Sequence, residues 1–539
     1  MVLVISSQAY HRLTTSLYYI LIGLVIVSIG LLIFYQASYI AITHKTMPFL
    51  EPDNYEYYMF AQLALTHPTL TPYNITNPYL INAPQGFFEH PGLYLMPVYL
   101  YYILHLPLIW EFRILQILAV ACIYIFGILI LRKCLMYLPI AKEYHWLSYT
   151  IVISSFLLMQ YTEITEWRGT EFIAALSLIS VYLMAWAWTN HKFRFALIPL
   201  ILIEVLAMWI WSGGFVVPLL VAVGIIVFSI YSIYIKKHPN IWRYVALATV
   251  ISSILIFFFA GSIEGIINSF TAHFGFNNIN PLHIGELEGL SLSNGLVAIL
   301  MMLVFSSFSL AAFLGNTIMS TKKKEYEYYL VGMFVASLLF LPLALIYIRL
   351  ISLIAPFLSV LYALGIVAML SYFSKTGSNR IVLFATIILI LIGSVVGQYI
   401  FYISTTTLYS FSNPIGLINA TAYMDRINPN ASVLTYYSYG DYLEEQGHLH
   451  TYADTIQGLN YSKILYIDKI FESNATTSCQ LIRSINPKPY FIMVSSNMLN
   501  STLFENTSTK SILKDYDSFN NTCGYKLVYS QGGFEIFKG

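Results

Sequence analysis

The chain has 539 residues, of which 58% are hydrophobic and 10% charged, with a formal net charge of +1. This composition excludes an ordinary soluble enzyme and fits a polytopic membrane protein. The near-zero net charge leaves no electrostatic footprint for nucleic acid. The 44 tyrosines and 35 phenylalanines suit residues that favour a membrane interface.

The first apolar run, 16–38, follows Arg12 and carries no small-residue cleavage site, so a retained helix is expected. A long polar-interrupted loop, 43–112, comes next. It contains Glu51-Pro52-Asp53-Asn54-Tyr55-Glu56-Tyr57-Tyr58 and a short tyrosine-rich segment, 92–107, read as an interfacial or re-entrant helix. Spans are predicted near 113–133, 146–162, 172–189, 195–211, 213–235, 243–262, 295–316, 328–344, 350–373 and 380–403. Between them lie Trp167-Arg168-Gly169-Thr170-Glu171 and His283-Ile284-Gly285-Glu286.

Lysine and arginine set the orientation. Arg132-Lys133, Lys192 and Arg194, Lys236-Lys237 and Arg243, Lys322-Lys323-Lys324, and Lys375 with Arg380 fall in alternate loops, which are expected to be cytoplasmic. The loop 263–294 contains no lysine or arginine. Lys45, Arg168 and Arg349, with Arg113 at a helix boundary, depart from the pattern. Asp53, Glu171 and Glu286 therefore share the outer side with everything after residue 403. Asn-x-Ser/Thr tripeptides at Asn74, Asn419, Asn430, Asn460, Asn474, Asn500, Asn506 and Asn520 all fall on that side, which fits a glycosylated exterior.

From about 404 the chain becomes richer in Asn, Ser, Thr and Asp. Strand-like pieces occur at Tyr490-Phe491-Ile492-Met493-Val494 and Lys526-Leu527-Val528-Tyr529, and Gly532-Gly533 makes a turn before Phe534-Glu535-Ile536-Phe537. The expected architecture is an α-helical membrane domain, 1–403, with outer loops 43–112 and 263–294, followed by a soluble extracellular mixed α/β domain, 404–539. Cys122 and Cys134 read as packing residues, whereas Cys479 and Cys523 lie in the tail, where a disulfide is possible.

The order of these motifs resembles the catalytic subunit of oligosaccharyltransferase, particularly the archaeal single-subunit kind. Asp53 stands in the first-loop acidic element, with Asn82-Ala83-Pro84-Gln85-Gly86 and His90-Pro91-Gly92 after it. Arg168-Gly169-Thr170-Glu171 occupies the second acidic motif, and Trp211-Ser212-Gly213-Gly214 resembles a Trp/Gly element. His283-Ile284-Gly285-Glu286 stands where the family has Thr-Ile-x-Glu, and Arg349 before Ala355-Pro356 resembles its late-helix arginine. Tyr436-Tyr437-Ser438-Tyr439-Gly440-Asp441-Tyr442 occupies the place of the Trp-Trp-Asp-Tyr-Gly signature, followed by Thr451-Tyr452-Ala453-Asp454. This version is degenerate, because both tryptophans and the aspartate are replaced.

The resemblance implies a GT-C-like fold with about 11–13 transmembrane helices, of which eleven are counted here. It implies transfer of an oligosaccharide from a polyprenyl (dolichyl) phosphate or diphosphate carrier to Asn of an Asn-x-Ser/Thr sequon. The partners implied are the lipid-linked donor, the acceptor polypeptide and the bilayer. The enzyme would act as a single subunit, multi-pass in the cell membrane. Asp53 and Glu286 are the implied catalytic residues, and Asp53, Glu171 and Glu286 the ligands of Mg²⁺ or Mn²⁺. Oxygen donors of this kind suit those ions. Arg349 and Arg168 would bind the lipid phosphate. Tyr436, Tyr437, Ser438, Tyr439 and Gly440 would bind the acceptor sequon, with Ser438 weakening the reading of its hydroxyl.

Each residue also has a plainer role. Asp53 and Glu171 can cap helices, Glu286 can be a solvated loop acid, Arg349 can snorkel, and Glu204 can be a polar contact within a span. A GT-C transferase with another acceptor is the alternative function, ahead of a transporter or a non-catalytic paralogue. Transporters show repeated halves and mid-membrane polar sites, and no repeat is visible here.

Overall fold

The computed structural model describes residues 53–67, 77–82, 91–138, 140, 142–159, 167–234, 296–319, 326–346, 351–376, 414–454, 461–496, 498 and 519–539. In chain order the longer helices are α1 (Asp53–Thr66), α2 (Pro91–Leu104), α3 (Leu108–Tyr137), α4 (His145–Met159), α5 (Gly169–Asn190), α6 (Phe193–Ile210), α7 (Val216–Tyr234), α8 (Leu296–Met319), α9 (Glu327–Ile346), α10 (Ile351–Thr376) and α11 (Pro414–Ile427). Strand β1 (Ser432–Leu434), helix α12 (Gly440–Gly447), strand β2 (His450–Thr451), helices α13 (Tyr461–Glu472) and α14 (Ala475–Ser484), and strands β3 (Phe491–Ser495), β4 (Lys526–Gln531) and β5 (Phe534–Lys538) follow.

The chain divides into two compact units. One holds Met1–Ile33, Ile114–Ile279 and Gly285–Leu408; the other holds Phe34–Arg113, Asn280–Ile284 and Tyr409–Gly539.

Apolar helices build the first unit. Among the described residues, four helical stretches are long and apolar enough to cross a membrane: Leu108–Tyr137, Gly169–Asn190, Phe193–Ile210 and Ile351–Tyr372. The predicted spans from 113–133 to 213–235, except 243–262, and those at 295–316, 328–344 and 350–373 fall on α3 to α10; 16–38, 243–262 and 380–403 lie outside the described residues. Helix α10 is largely buried and packs against α4, α8 and α9. The helices α8 and α10 approach closely, because a Cβ on Gly365 would land on the Phe305 carbonyl oxygen. Small residues let helix backbones come together in this way. Tyr231 at the end of α7 donates to Glu327 Oε2 at 2.9 Å, and Ser232 hydrogen-bonds the Tyr328 hydroxyl.

The second unit contains a five-stranded sheet in the order β2-β1-β3-β5-β4. Strand β1 runs parallel to β2 and β3, while β5 is antiparallel to β3 and β4. Gly532 and Gly533 turn β4 into β5 with φ of 60° and 74°. A two-residue hairpin turn of this kind favours glycine at both positions. Ile464, Ile467, Phe471, Ile492, Val494 and Phe537 form the core under the sheet. Cys479 and Cys523 are joined by a disulfide, which settles the possibility left open in the sequence.

The first loop contributes to the same unit. Leu80 pairs in parallel with Thr451, the Ile81 amide donates to Thr451 O at 2.8 Å, and the Thr451 amide donates to Tyr79 O at 3.0 Å. Residues 77–82 thus lie as a strap along the β2 edge of the sheet. Lys463 Nζ fastens the strap, donating to the carbonyl oxygens of Ile81 and Asn82 at 3.2 and 3.3 Å.

Candidate functional site

Helix α1 begins at Asp53, directly after Pro52, so the first-loop acidic element lies on a helix within the stretch expected to be a loop. A proline before the first turn costs the helix no internal hydrogen bond. Helix α1 packs on α12, with the Tyr55 and Tyr442 rings edge to face at 5.1 Å. Glu56, one turn beyond Asp53, is fully buried.

A close backbone approach places α12. A Cβ on Gly440 would strike the Ala453 carbonyl oxygen and lie 3.0 Å from Asp454 Cα. Gly440 has φ −54° and ψ −58°, so proximity, not an unusual backbone, is what demands glycine there. Beyond α12, His448 adopts a left-handed conformation with φ 49°, turning the chain into β2 and on to Asp454.

These elements gather three buried carboxylates. Glu56, Asp441 and Asp454 each offer an oxygen, and the three oxygens lie within 4.8 Å of one another. Asn77 of the strap donates from Nδ2 to Glu444 Oε2 at 2.6 Å and to Asp454 Oδ2 at 3.2 Å. Its Oδ1 accepts the Tyr79 amide at 3.0 Å, and Thr451 Oγ1 donates to Glu444 Oε1. Burial, and then the Asp454 charge, hold the Glu444 carboxyl well above its ordinary range, against the lowering hydrogen bonds from Thr451 and Asn77. Burial also lifts Glu445 to about 7.

Three hard oxygen donors at this spacing suit a divalent ion. Oxygens about 2.0–2.6 Å from a shared Mg²⁺, Mn²⁺ or Ca²⁺ stand no more than about 4–5 Å apart across it. Soft-metal chemistry is disfavoured, because the cluster contains no thiolate or imidazole.

This triad differs from the set expected in the sequence. Glu286 and Arg349 lie outside the described residues. Asp53 is placed as the first residue of α1, while nothing of its side chain is described. Glu171 is fully buried in the first turn of α5, in the other unit, preceded by the buried Arg168 in extended backbone. Two of the expected motifs do meet there: a Cβ on Gly169 would lie 2.9 Å from Trp211 Cγ, so the Arg168–Glu171 element packs on the Trp211 element.

In the stretch expected to bind the acceptor, Tyr436 enters a single turn, Tyr437–Tyr439, in extended conformation. The Tyr436 and Tyr437 rings lie 4.5 Å apart. Tyr439 is anchored in the domain, hydrogen-bonded to Ser495 Oγ at 2.9 Å with its ring edge-on to Phe534 at 5.6 Å. Ser438 is half-buried, and Gly440 makes the close approach described above.

Glu56, Asn77, Asp441, Glu444 and Asp454 are not among the site residues expected from the sequence. The available signals were the three-residue spacings of Asp53 with Glu56 and of Asp441 with Glu444, which put each pair on one helix face.

No protein-family model and no curated protein matches the chain. Solved structures do resemble it. The apo oligosaccharyltransferase of Archaeoglobus fulgidus is 12% identical with a TM-score of 0.59, over 88% of this chain and 70% of that one. The archaeal enzyme from the same organism in complex with an inhibitory peptide and a dolichol-phosphate is 11% identical with a TM-score of 0.58, over 96% and 74%. ArnT from Cupriavidus metallidurans bound to undecaprenyl phosphate is 11% identical with a TM-score of 0.50, over 96% and 97%. At these identities the likeness is one of fold: a GT-C-type helical architecture with a C-terminal α/β domain.

Proposed function

We propose that this chain is a membrane glycosyltransferase that moves an oligosaccharide from a polyprenyl phosphate or diphosphate carrier to Asn of Asn-x-Ser/Thr sequons on the outer membrane face. The observation that carries the reading is the packing of α1, which starts at Asp53, on α12, which starts at Gly440. The helix bearing the first acidic motif and the end of the acceptor stretch belong to one compact unit. A peptide asparagine read by the tail is then presented close to the first-loop acid. The fold likeness to an oligosaccharyltransferase solved with a peptide and a dolichol-phosphate supports the same reading.

The chemistry follows from the acceptor. An amide nitrogen is a poor nucleophile because its lone pair is delocalised into the carbonyl. Asp53 and Glu286 accept hydrogen bonds from the acceptor N–H groups and hold the amide in a reactive geometry. Arg349 and Arg168 bind the phosphate of the carrier with fixed positive charge. Asp53, Glu171 and Glu286 are the residues that would hold Mg²⁺ or Mn²⁺, which when bound offsets the charge developing on the leaving phosphate. The buried triad of Glu56, Asp441 and Asp454, with Asn77 and Glu444, joins first loop and tail and keeps Asp53 in register with Tyr436–Gly440. The enzyme works as a single subunit in the cell membrane, with its α/β domain outside.

Membranes containing the chain, supplied with lipid-linked oligosaccharide and an Asn-Ala-Thr peptide, should transfer glycan in Mn²⁺ and stop in EDTA. Asp53→Asn should lower the rate at least about 100-fold, the scale of a lost acid–base contact. Transfer that survives both treatments would remove the carboxylate and metal roles.

A second reading is transfer from a lipid-phosphate sugar to a different acceptor. The absence of an acid at Ser438, and the likeness in fold to ArnT over nearly the whole of both chains, favour it. Glycan transfer to lipid or saccharide, with the peptide untouched, would select it.

A further inference from the structure

Three Asn-x-Ser/Thr tripeptides of the α/β domain can be compared in the fold. Asn419-Ala420-Thr421 lies on α11, Asn430-Ala431-Ser432 leads into β1, and Asn474-Ala475-Thr476 opens α14. All three asparagines are exposed. Their hydroxyl residues differ. Thr421 is buried. Ser432 Oγ is held in the sheet, donating to Lys488 O at 3.1 Å and accepting the Tyr490 amide at 3.0 Å. Thr476 is exposed. Of the three, the Asn474 tripeptide alone offers both groups that a sequon-reading enzyme needs.

The local geometry also tolerates a glycan. Asn474 lies in the two-residue link between α13 and α14, with extended backbone at φ −66° and ψ 162°. Its Oδ1 accepts the Thr477 amide at 3.0 Å and so caps α14, a position asparagine favours. A sugar on Nδ2 replaces one hydrogen and leaves Oδ1 as an acceptor, so the cap survives the modification. Presenting 474–476 to an active site begins by releasing this cap and the Ser478 N to Asn474 O bond, at 2.9 Å. The amides of a first turn have no intrahelical partner to lose, and helix ends fray. Behind that turn α14 stays fastened to its own domain, by the Cys479–Cys523 disulfide and by Ile482 in the core that includes Tyr437.

We propose that Asn474 is itself an acceptor of the reaction, glycosylated in the folded chain by a second copy of the enzyme. This rests on the transferase reading given above. Asn474 Nδ2 bonds to the anomeric carbon of the carrier's glycan. The bond from that carbon to the phosphate oxygen breaks, with its electron pair left on the phosphate, and the Nδ2 proton passes to Asp53 or Glu286 of the copy that acts. A second copy is needed because α14 is tied into the domain that carries Tyr436–Gly440 and cannot be laid as a free peptide along its own reading stretch.

The test uses full chain purified in detergent from a host without N-glycosylation. Heavy-nitrogen-labelled Asp53→Asn chain, folded, serves as acceptor. It is mixed with unlabelled wild type, lipid-linked oligosaccharide, Mn²⁺ and a free Asn-Ala-Thr peptide. Mass spectrometry follows the reduced tryptic peptide 470–483, in which Asn474 begins the one sequon. Glycan should appear on the labelled Asn474 and on the free peptide, with Asn419 and Asn430 bare. Thr476→Ala in the labelled chain should lower the Asn474 signal at least about tenfold, the scale of one lost hydrogen bond to the hydroxyl. Its thermal midpoint should hold, because the cap between Asn474 and Thr477 is untouched. A modified free peptide beside a bare Asn474 overturns the proposal and leaves the transferase reading standing. So does glycan spread equally over Asn419, Asn430 and Asn474, or an undiminished signal in Thr476→Ala. Glycan on the wild-type Asn474 alone overturns the role of a second copy. Failure to modify either the chain or the free peptide overturns the proposal together with the reading beneath it.

Discussion

Replacing Gly440 by alanine should separate α12 from the 453–454 backbone and loosen the carboxylate triad. The added Cβ would land on the Ala453 carbonyl oxygen, 3.0 Å from Asp454 Cα and 3.2 Å from the Ala453 carbonyl carbon. Carbon atoms pack comfortably at about 3.5–4.0 Å, so the two segments must part by roughly 0.5–1 Å. The obstacle is backbone on both sides, which cannot rotate away as a side chain can. Overpacking of this kind costs about 1–3 kcal/mol. The helical φ and ψ of Gly440 mean that alanine gains roughly 0.5–1 kcal/mol there, leaving a net loss of about 1–2 kcal/mol. A loss of that size lowers the thermal midpoint by about 2–8 °C in a unit of this scale. The displacement also moves Asp441 away from Asp454, and cation sites tolerate only about 0.2 Å of error. Thermal unfolding of the full chain in nanodiscs, with and without Mn²⁺, should show both a lower midpoint and a smaller Mn²⁺-induced rise than wild type. An Ala variant with the wild-type midpoint and the wild-type response to Mn²⁺ would refute the close-approach argument.

Other outcomes follow from the same geometry. Asp454→Asn should reduce but not abolish the Mn²⁺-induced rise in midpoint, since it takes one of three oxygens from the triad and leaves Asp53, Glu171 and Glu286 intact; isothermal titration with Mn²⁺ reads the change directly. Cys479→Ser should destabilise the α/β domain by about 4 kcal/mol, the loop-closure value for a sequence separation of 44, seen as faster proteolysis of the tail. Asp468 gives a pH signature. Burial, with Glu472 nearby, raises its carboxyl from 3.8 to about 7. Its contribution to stability is therefore full below about pH 4 and is lost as pH climbs to about 7, on the order of a few kcal/mol in all. Asp468→Leu should be stabilised relative to wild type more at pH 8 than at pH 4, and parallel stability curves for the two forms would contradict the assignment.

Much of the architecture was legible because the signals are local. Spans such as 172–189 and 350–373 are apolar over the length of a bilayer, and α5 and α10 lie on them. The Gly532-Gly533 turn and its flanking strands were readable because a two-residue hairpin fixes its own register. The carboxylate triad was not legible in the same way. Glu56 lies 385 residues before Asp441, and nothing in the local pattern of either announces the other. Their meeting depends on α1 packing against α12, and on a glycine whose necessity is visible only once Ala453 is opposite it. The strap 77–82 was hidden for a similar reason: a short extended piece on a sheet edge is specified by its partner strand more than by its own sequence. Asp468 sits in an amphipathic helix where a sequence reader expects a solvated acid, and only its burial beside Ile464 and Ile467 sets it apart.

The central claim is that an intact glycan passes from a lipid phosphate to the side-chain nitrogen of asparagine. Tandem mass spectrometry of two peptides, Asn-Ala-Thr and its Gln-Ala-Thr counterpart, after incubation with chain-containing membranes, lipid-linked oligosaccharide and Mn²⁺ tests it most directly. The account predicts a glycan mass on the asparagine of the first peptide only, dependent on Asp53. Unmodified peptides, with the donor consumed and its sugar recovered on a lipid or saccharide, would contradict it.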